Sequence, residues 1–143
     1  MKKIIILFSV IVIIVAIVSI NYNKFKSEKN TVNAYNFEFE KNLQKQILGL
    51  DLTTIINKVI NNNEKNNVEI GYDKQYINNG INSINIDIWM TDTKEKYPME
   101  TLYNGGIENF VQYYGNIYFK CTKIDYHKQT GKVSYLYFEQ VSE

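Results

Sequence analysis

Arginine is absent: all sixteen basic residues of this 143-residue chain are lysine. Past Lys2 and Lys3, fourteen lysines face fifteen carboxylates. With no guanidinium for bidentate contacts to phosphate or guanine and no basic excess, nucleic acid is not expected as a partner. There is a single cysteine, Cys121, so no internal disulfide can form, and it lies too far from the N-terminus to carry a lipoprotein's lipid. The single histidine, His127, leaves no His/Cys cluster for zinc. Neither a metal nor a cofactor is expected. No internal repeat is present. The abundance of Ile, Asn and Lys matches AT-rich codon usage, so the asparagine runs are not read as binding sites.

What the chain does have is an apolar run at its start. Residues 4–20 carry no charge, no glycine and no proline, and only Ser9 and Ser19 interrupt them. As a helix these residues span roughly 26 Å at about 1.5 Å per residue, close to a hydrocarbon core of ~30 Å. Lys2 and Lys3 can snorkel at one end, and Tyr22 suits the interface at the other. A signal peptide's apolar core is shorter, about 7–15 residues, and ends in a small-x-small site. Here Ala16-Ile17-Val18 and Ile17-Val18-Ser19 each place a branched residue at a small position, so an uncleaved anchor is expected. Lysines follow the span as well (Lys24, Lys26, Lys29), but a lysine pair directly before an apolar run is the export arrangement. The expected organisation is a cytoplasmic tail at 1–3, a transmembrane anchor at 4–22, a polar juxtamembrane linker at 23–31 and an extracytoplasmic domain at 32–143. The expected location is therefore the cell membrane, as a single-pass protein with its C-terminal domain outside. About 110 residues suffice to bury a core without disulfides.

Within that domain Val32, Tyr35, Phe39, Leu43, Ile47 and Leu50 recur at steps of three and four, predicting one helix that Gly49 ends or kinks. Asp51 is placed to cap a second helix, whose Leu52, Ile55, Ile56, Val59 and Ile60 form an apolar stripe and which Asn61-Asn62-Asn63 should stop. The period then changes. "VEIGY" reads as a short strand, Asn79-Gly80 as a hairpin turn, and Ile84, Ile86, Ile88 and Met90 alternate with Asn85, Asp87 and Trp89 as a half-wet strand. Pro98 is placed to open a short helix, and Ile107, Phe110, Val111 and Tyr114 repeat with helical spacing. "NIYFKCTKIDYH" and "KVSYLYFEQV" flank a Lys128-Gln129-Thr130-Gly131 turn as a final hairpin. The fold class is α+β, with amphipathic helices on an antiparallel sheet of about four strands.

The segment "FEFEKNLQKQILGLDLTTIINKVINNNEKNN" resembles a motif of small, uncharacterised single-pass proteins of low-GC Gram-positive bacteria. The likeness continues through "SINIDIWM", "YPMETLYNGGIENF" and "FKCTKIDYH". It implies a layout of anchor plus small outside domain, and no activity. The order of an apolar N-terminal helix, a further helix and a sheet is also similar to type IV pilin-like proteins, although residues 4–20 lack the glycine cleavage site and early carboxylate of a prepilin.

Catalytic constellations are sparse. Cys121 and His127, six residues apart on one strand, would stand roughly 20 Å from each other. The segment 73–80 lacks the alternating oxygens of a calcium loop. Asp87, Asp125 and Glu139 are the carboxylates that two sheet strands could bring together for glycosidase-type acid–base work. Solvated charges or lysine pairs are nevertheless the expected reading of them. An enzyme is not expected. Trp89, Tyr113, Tyr114, Tyr118, Tyr126, Tyr135 and Tyr137 form a dense aromatic set, and strand alternation puts Tyr118 and Tyr126 on one face opposite Phe119 and Cys121. Trp89, Tyr118 and Tyr126 are accordingly the candidate partner-binding aromatics, for a protein or a cell-wall glycan. The function expected from sequence is a membrane-anchored, non-catalytic binding or structural domain. A pilin-like subunit of a surface filament or secretion apparatus is the alternative, and a cell-wall hydrolase ranks behind both.

Overall fold

The computed structural model describes residues 2–141, with Lys2, Lys3 and Ile5 described by backbone alone. Met1 of the expected tail and residues 142–143 of the expected domain lie outside the described residues. The chain divides into two compact units, Met1–Ala34 and Tyr35–Glu143.

The first unit is helical. Helix α1 (Lys2–Glu40) is long and apolar enough to cross a membrane, and none of its apolar window is buried within the chain. Its isoleucines and valines surround the axis instead of forming a stripe, the pattern of a helix that meets an apolar environment on all sides. Its few polar groups are satisfied locally: Ser9 Oγ donates to the Ile6 carbonyl and Ser19 Oγ to that of Val15, both at 2.8 Å. The polar stretch 23–31 is helical throughout, since Lys, Glu and Ser without Pro or Gly give the helix no reason to stop.

The second unit begins with the last turns of α1, which supply Phe39 to the core. The helix ends at Glu40 and does not run on to Leu50 as the spacing predicts. Gln44 turns the chain with φ 61°, and β1 (Gln46–Leu48) pairs antiparallel with the edge of β4. A run of apolar residues at steps of three and four fits either state, and an unpaired sheet edge decided for the strand. Gly49 opens α2 (Gly49–Lys65), where a Cβ would run into the Tyr114 carbonyl and its N–H donates to Ile117 O at 2.8 Å. Asp51 lies in the first turn, where it complements the helix dipole without capping; the capping position is Leu48, with no side-chain bond. Leu52, Ile56, Val59 and Ile60 are buried, as their stripe predicts.

The asparagine run does not end α2. Asn63 is fully buried, its Nδ2 donating to Ile84 O at 2.7 Å and its Oδ1 accepting from Ile84 N–H at 2.9 Å. "VEIGY" is no strand: only Ile70 makes a bridge, to Tyr76. Nor is Asn79-Gly80 a hairpin turn, because Asn79 Oδ1 accepts the N–H groups of Ile81, Asn82 and Ser83 and folds the segment into a loop. β2 (Asn85–Met90) finds its antiparallel partner ahead of it, in β3 (Glu95–Pro98), across a turn with Lys94 at φ 57°.

Pro98 precedes α3 (Met99–Asn104), α4 spans Ile107–Tyr114, and β4 (Tyr118–Tyr126) and β5 (Val133–Gln140) form the expected hairpin. The sheet is five-stranded and mixed, in the order β1-β4-β5-β2-β3, with β2 and β5 parallel. The α+β class is as expected; the sheet has one strand more than the expected four or so, and is mixed where an antiparallel sheet was expected. Alternation within a strand records which side faces the core, and carries no information on the direction of a neighbour that arrives from far along the chain.

Candidate functional site: the open face of the sheet

Every central strand divides its side chains between two environments. In β2, Ile86, Ile88 and Met90 are buried while Asn85, Asp87 and Trp89 are half-buried on the other side. In β5, Leu136 and Phe138 point inward and Tyr135, Tyr137 and Glu139 outward. Helix α2 supplies four of the residues that share the buried cluster. The opposite face keeps its polar and aromatic side chains at the surface.

Register arranges that face in ranks. Lys96, Trp89, Glu139 and Lys120 lie side by side across β3, β2, β5 and β4. The next rank holds Asp87, Tyr137 and Lys123, and the third Asn85, Tyr135 and Asp125. Diagonal bonds stitch the ranks together. Asp87 Oδ2 accepts from Lys96 Nζ at 2.8 Å and from Tyr135 OH at 2.9 Å. Lys123 Nζ sits 2.6 Å from Asp125 Oδ2 and 5.4 Å from the centre of the Tyr135 ring. The bond to Asp87 is the main reason the Lys96 ammonium is held above its ordinary pKa. Burial first, and then donation to Asp87, push the Tyr135 phenol upward.

The three sequence candidates are not brought together. Trp89 stands on the open face, and Tyr118, exposed, lies on the same face at the start of β4. Tyr126 is also exposed, but on the other side. The register slips by one residue between Cys121 and Lys123 and again between Asp125 and Tyr126. The first slip is an extra residue in β4, Thr122, which inverts that strand's alternation. The second is an extra residue in β5, Ser134, which turns Val133 to the core side. Tyr126 therefore ends opposite buried Val133, with its hydroxyl donating to Glu40 Oε1 at 2.8 Å at the end of α1. The expectation that Tyr118 and Tyr126 share a face is therefore corrected. Sequence missed Lys96 altogether and passed over Tyr135 and Tyr137 as the aromatics to choose. The Tyr-Leu-Tyr-Phe alternation of β5 was the signal that could have selected the two tyrosines.

Cys121 and His127 sit apart from this face. The Cys121 thiol is fully buried and pushed up to about 11, chiefly by that burial. His127 is buried at the final turn, where Nε2 lies 2.7 Å from the Ser83 carbonyl and donates to it. Neither is a hydrogen-bond partner of the other. Asp87, Asp125 and Glu139 do share the open face, but two of them are already paired with lysines. Asp87 and Asp125 belong to strands separated by β5, on the order of 10 Å apart at about 4.8 Å per strand. Among the described residues, no three His, Cys, Asp or Glu side chains come together as a metal site.

The arrangement offers flat aromatic surface and fixed hydrogen-bonding groups. No protein-family model matches the chain, and no curated protein or solved structure matches it.

Proposed function

We propose that this is a single-pass membrane protein, anchored through residues 4–22, whose domain lies outside the cytoplasmic membrane and acts by binding a partner on the open face of its sheet. The carrying observation is that face: Trp89, Tyr135 and Tyr137 stand at the surface of a sheet whose other side is packed. An all-round apolar α1 supports the anchor, because its side chains find no cover within the chain. The lysine pair before it supports an inside N-terminus.

Two experiments test the proposal. A Ser27→Cys, Cys121→Ala variant is labelled with an impermeant thiol reagent on intact cells; Ser27 is exposed on α1. Labelled full-length protein in the membrane fraction supports the outside domain, whereas labelling only after lysis overturns it. Benzoylphenylalanine placed at Tyr137, and as a control at exposed Phe37, is then photolysed in cells. An adduct at Tyr137 alone supports binding on the open face; equal adducts or none at both positions refute it.

One observation favours a second reading. The helix that carries the apolar run continues to Glu40, and its last turns supply Phe39 to the domain core, an order similar to pilin-like subunits. Recovery of the protein in sheared, sedimentable filaments would put that reading first.

A further inference from the structure

We infer that the open sheet face is a platform for a neutral glycan built of pyranose rings. This rests on the open face being the binding surface, and goes further by naming what lies on it.

The composition of the face separates the classes of partner. Across β4, β5 and β2, leaving aside Thr122 at the bulge, every outward side chain is aromatic, charged or an amide, and none is aliphatic. A protein interface has a desolvated centre depleted in Lys, Asp and Glu. Here Asp87, Glu139 and Lys123 stand directly beside Trp89 and Tyr137, where that centre would have to form. An anionic polymer or lipid surface is disfavoured for a different reason. The face holds three lysines (96, 120, 123) and three carboxylates (87, 125, 139), so it has no net charge with which to attract either.

A neutral sugar chain matches what remains. The C–H faces of pyranose rings lie flat on aromatic rings, and their hydroxyls need donors and acceptors at the ring edge. Trp89 and Tyr137 are diagonal neighbours on adjacent strands, about 7–8 Å apart, and Tyr135 follows two residues along β5. Polar groups with spare capacity flank this strip. Asp87 uses only Oδ2 for Lys96 and Tyr135, and Oδ1 accepts no hydrogen bond among the described residues. The Lys96 ammonium, half-exposed, has two further donors. Because Asp87 is paired with Lys96 and Asp125 with Lys123, these side chains are held in place and less ordering remains to oppose binding.

Trp89 is the only tryptophan in the chain, so its emission reports on this face directly. The full chain in phosphatidylcholine nanodiscs is titrated with hexa-N-acetylchitohexaose and with cellohexaose. The expected result is a saturable change in Trp89 emission with at least one of them. Tyr137→Ala should weaken it roughly tenfold, and Tyr137→Phe, which keeps the ring, should leave it within about twofold. Asp87→Asn should weaken it several-fold, while Tyr126→Phe, on the other face, should leave it unchanged. No response to either sugar up to about 10 mM, or a response indifferent to Tyr137→Ala with the circular dichroism intact, overturns the glycan. If the photo-adduct at Tyr137 persists in that case, binding on the open face stands with another partner; if it is absent too, both fall.

Discussion

Replacing Asn63 by alanine should cost this domain more than any other substitution of an asparagine in its run. Asn63 is the last buried residue of α2, and its amide bonds both backbone groups of Ile84 as a neighbouring strand would. Ile84 is itself fully buried, so no water can take over either bond. An unsatisfied buried polar group costs about 1–3 kcal/mol, and two are created at once. Adding the void left by the amide, the loss should be about 3–5 kcal/mol. At about 4 °C per kcal/mol for a domain of this size, the midpoint falls by roughly 12–20 °C. Thermal unfolding of the full chain in detergent, followed through Trp89 emission on β2, measures it. Asn61→Ala, at an exposed position on the same helix, is the control and should stay within about 0.5 kcal/mol of the parent. A loss below about 1 kcal/mol for Asn63→Ala would show that the Ile84 backbone finds other partners, and that the helix-to-strand link is not what holds the start of β2.

Three further outcomes follow from buried groups. Ile56→Asp places a carboxylate at a position with no exposure, and should abolish the folded circular dichroism signal; a folded variant that merely lost a partner would make α2 an interface instead. Glu100 is buried and accepts the Tyr76 N–H at 3.0 Å, and burial holds its carboxyl above the usual range. With the folded pKa above the unfolded one, the protonated form is favoured by folding, a contribution complete below the unfolded value near ~4.3 and lost as pH rises through the folded pKa. Glu100→Gln should thus match the parent near pH 4 and exceed it in denaturant midpoint at pH 7. The opposite trend would mean the ionised carboxylate is the stabilising form. The Cys121 thiol, held at about 11 by burial, should react with iodoacetamide at pH 8.5 on the order of 100-fold more slowly in the folded chain than in the urea-unfolded one, and equal rates would contradict its place in the core.

The physical limits of sequence reading show in particular residues. The stripe Leu52, Ile56, Val59, Ile60 and the alternation of Ile84 to Met90 were legible because periodicity records directly which side of an element is dry. Asn63 was not legible, since an asparagine is ordinarily a helix breaker and becomes a core residue only when a strand's backbone lies across from it. Nor could the alternation in β4 place Tyr126, since one extra residue in a strand reverses every side chain after it, and nothing in the residue types marks the slip.

By itself, then, the sequence determined an apolar helix of membrane-spanning length, the lack of any internal disulfide, the faces of α2 and β2, and the final hairpin. These depend on local composition and period, which every stretch of chain carries with it. Tertiary structure alone decided the parallel pairing of β2 with β5, and thereby the two ranks in which Trp89 meets Glu139 and Asp87 meets Tyr137. That pairing joins segments some fifty residues apart, and only the packed sheet determines which distant edge each strand meets.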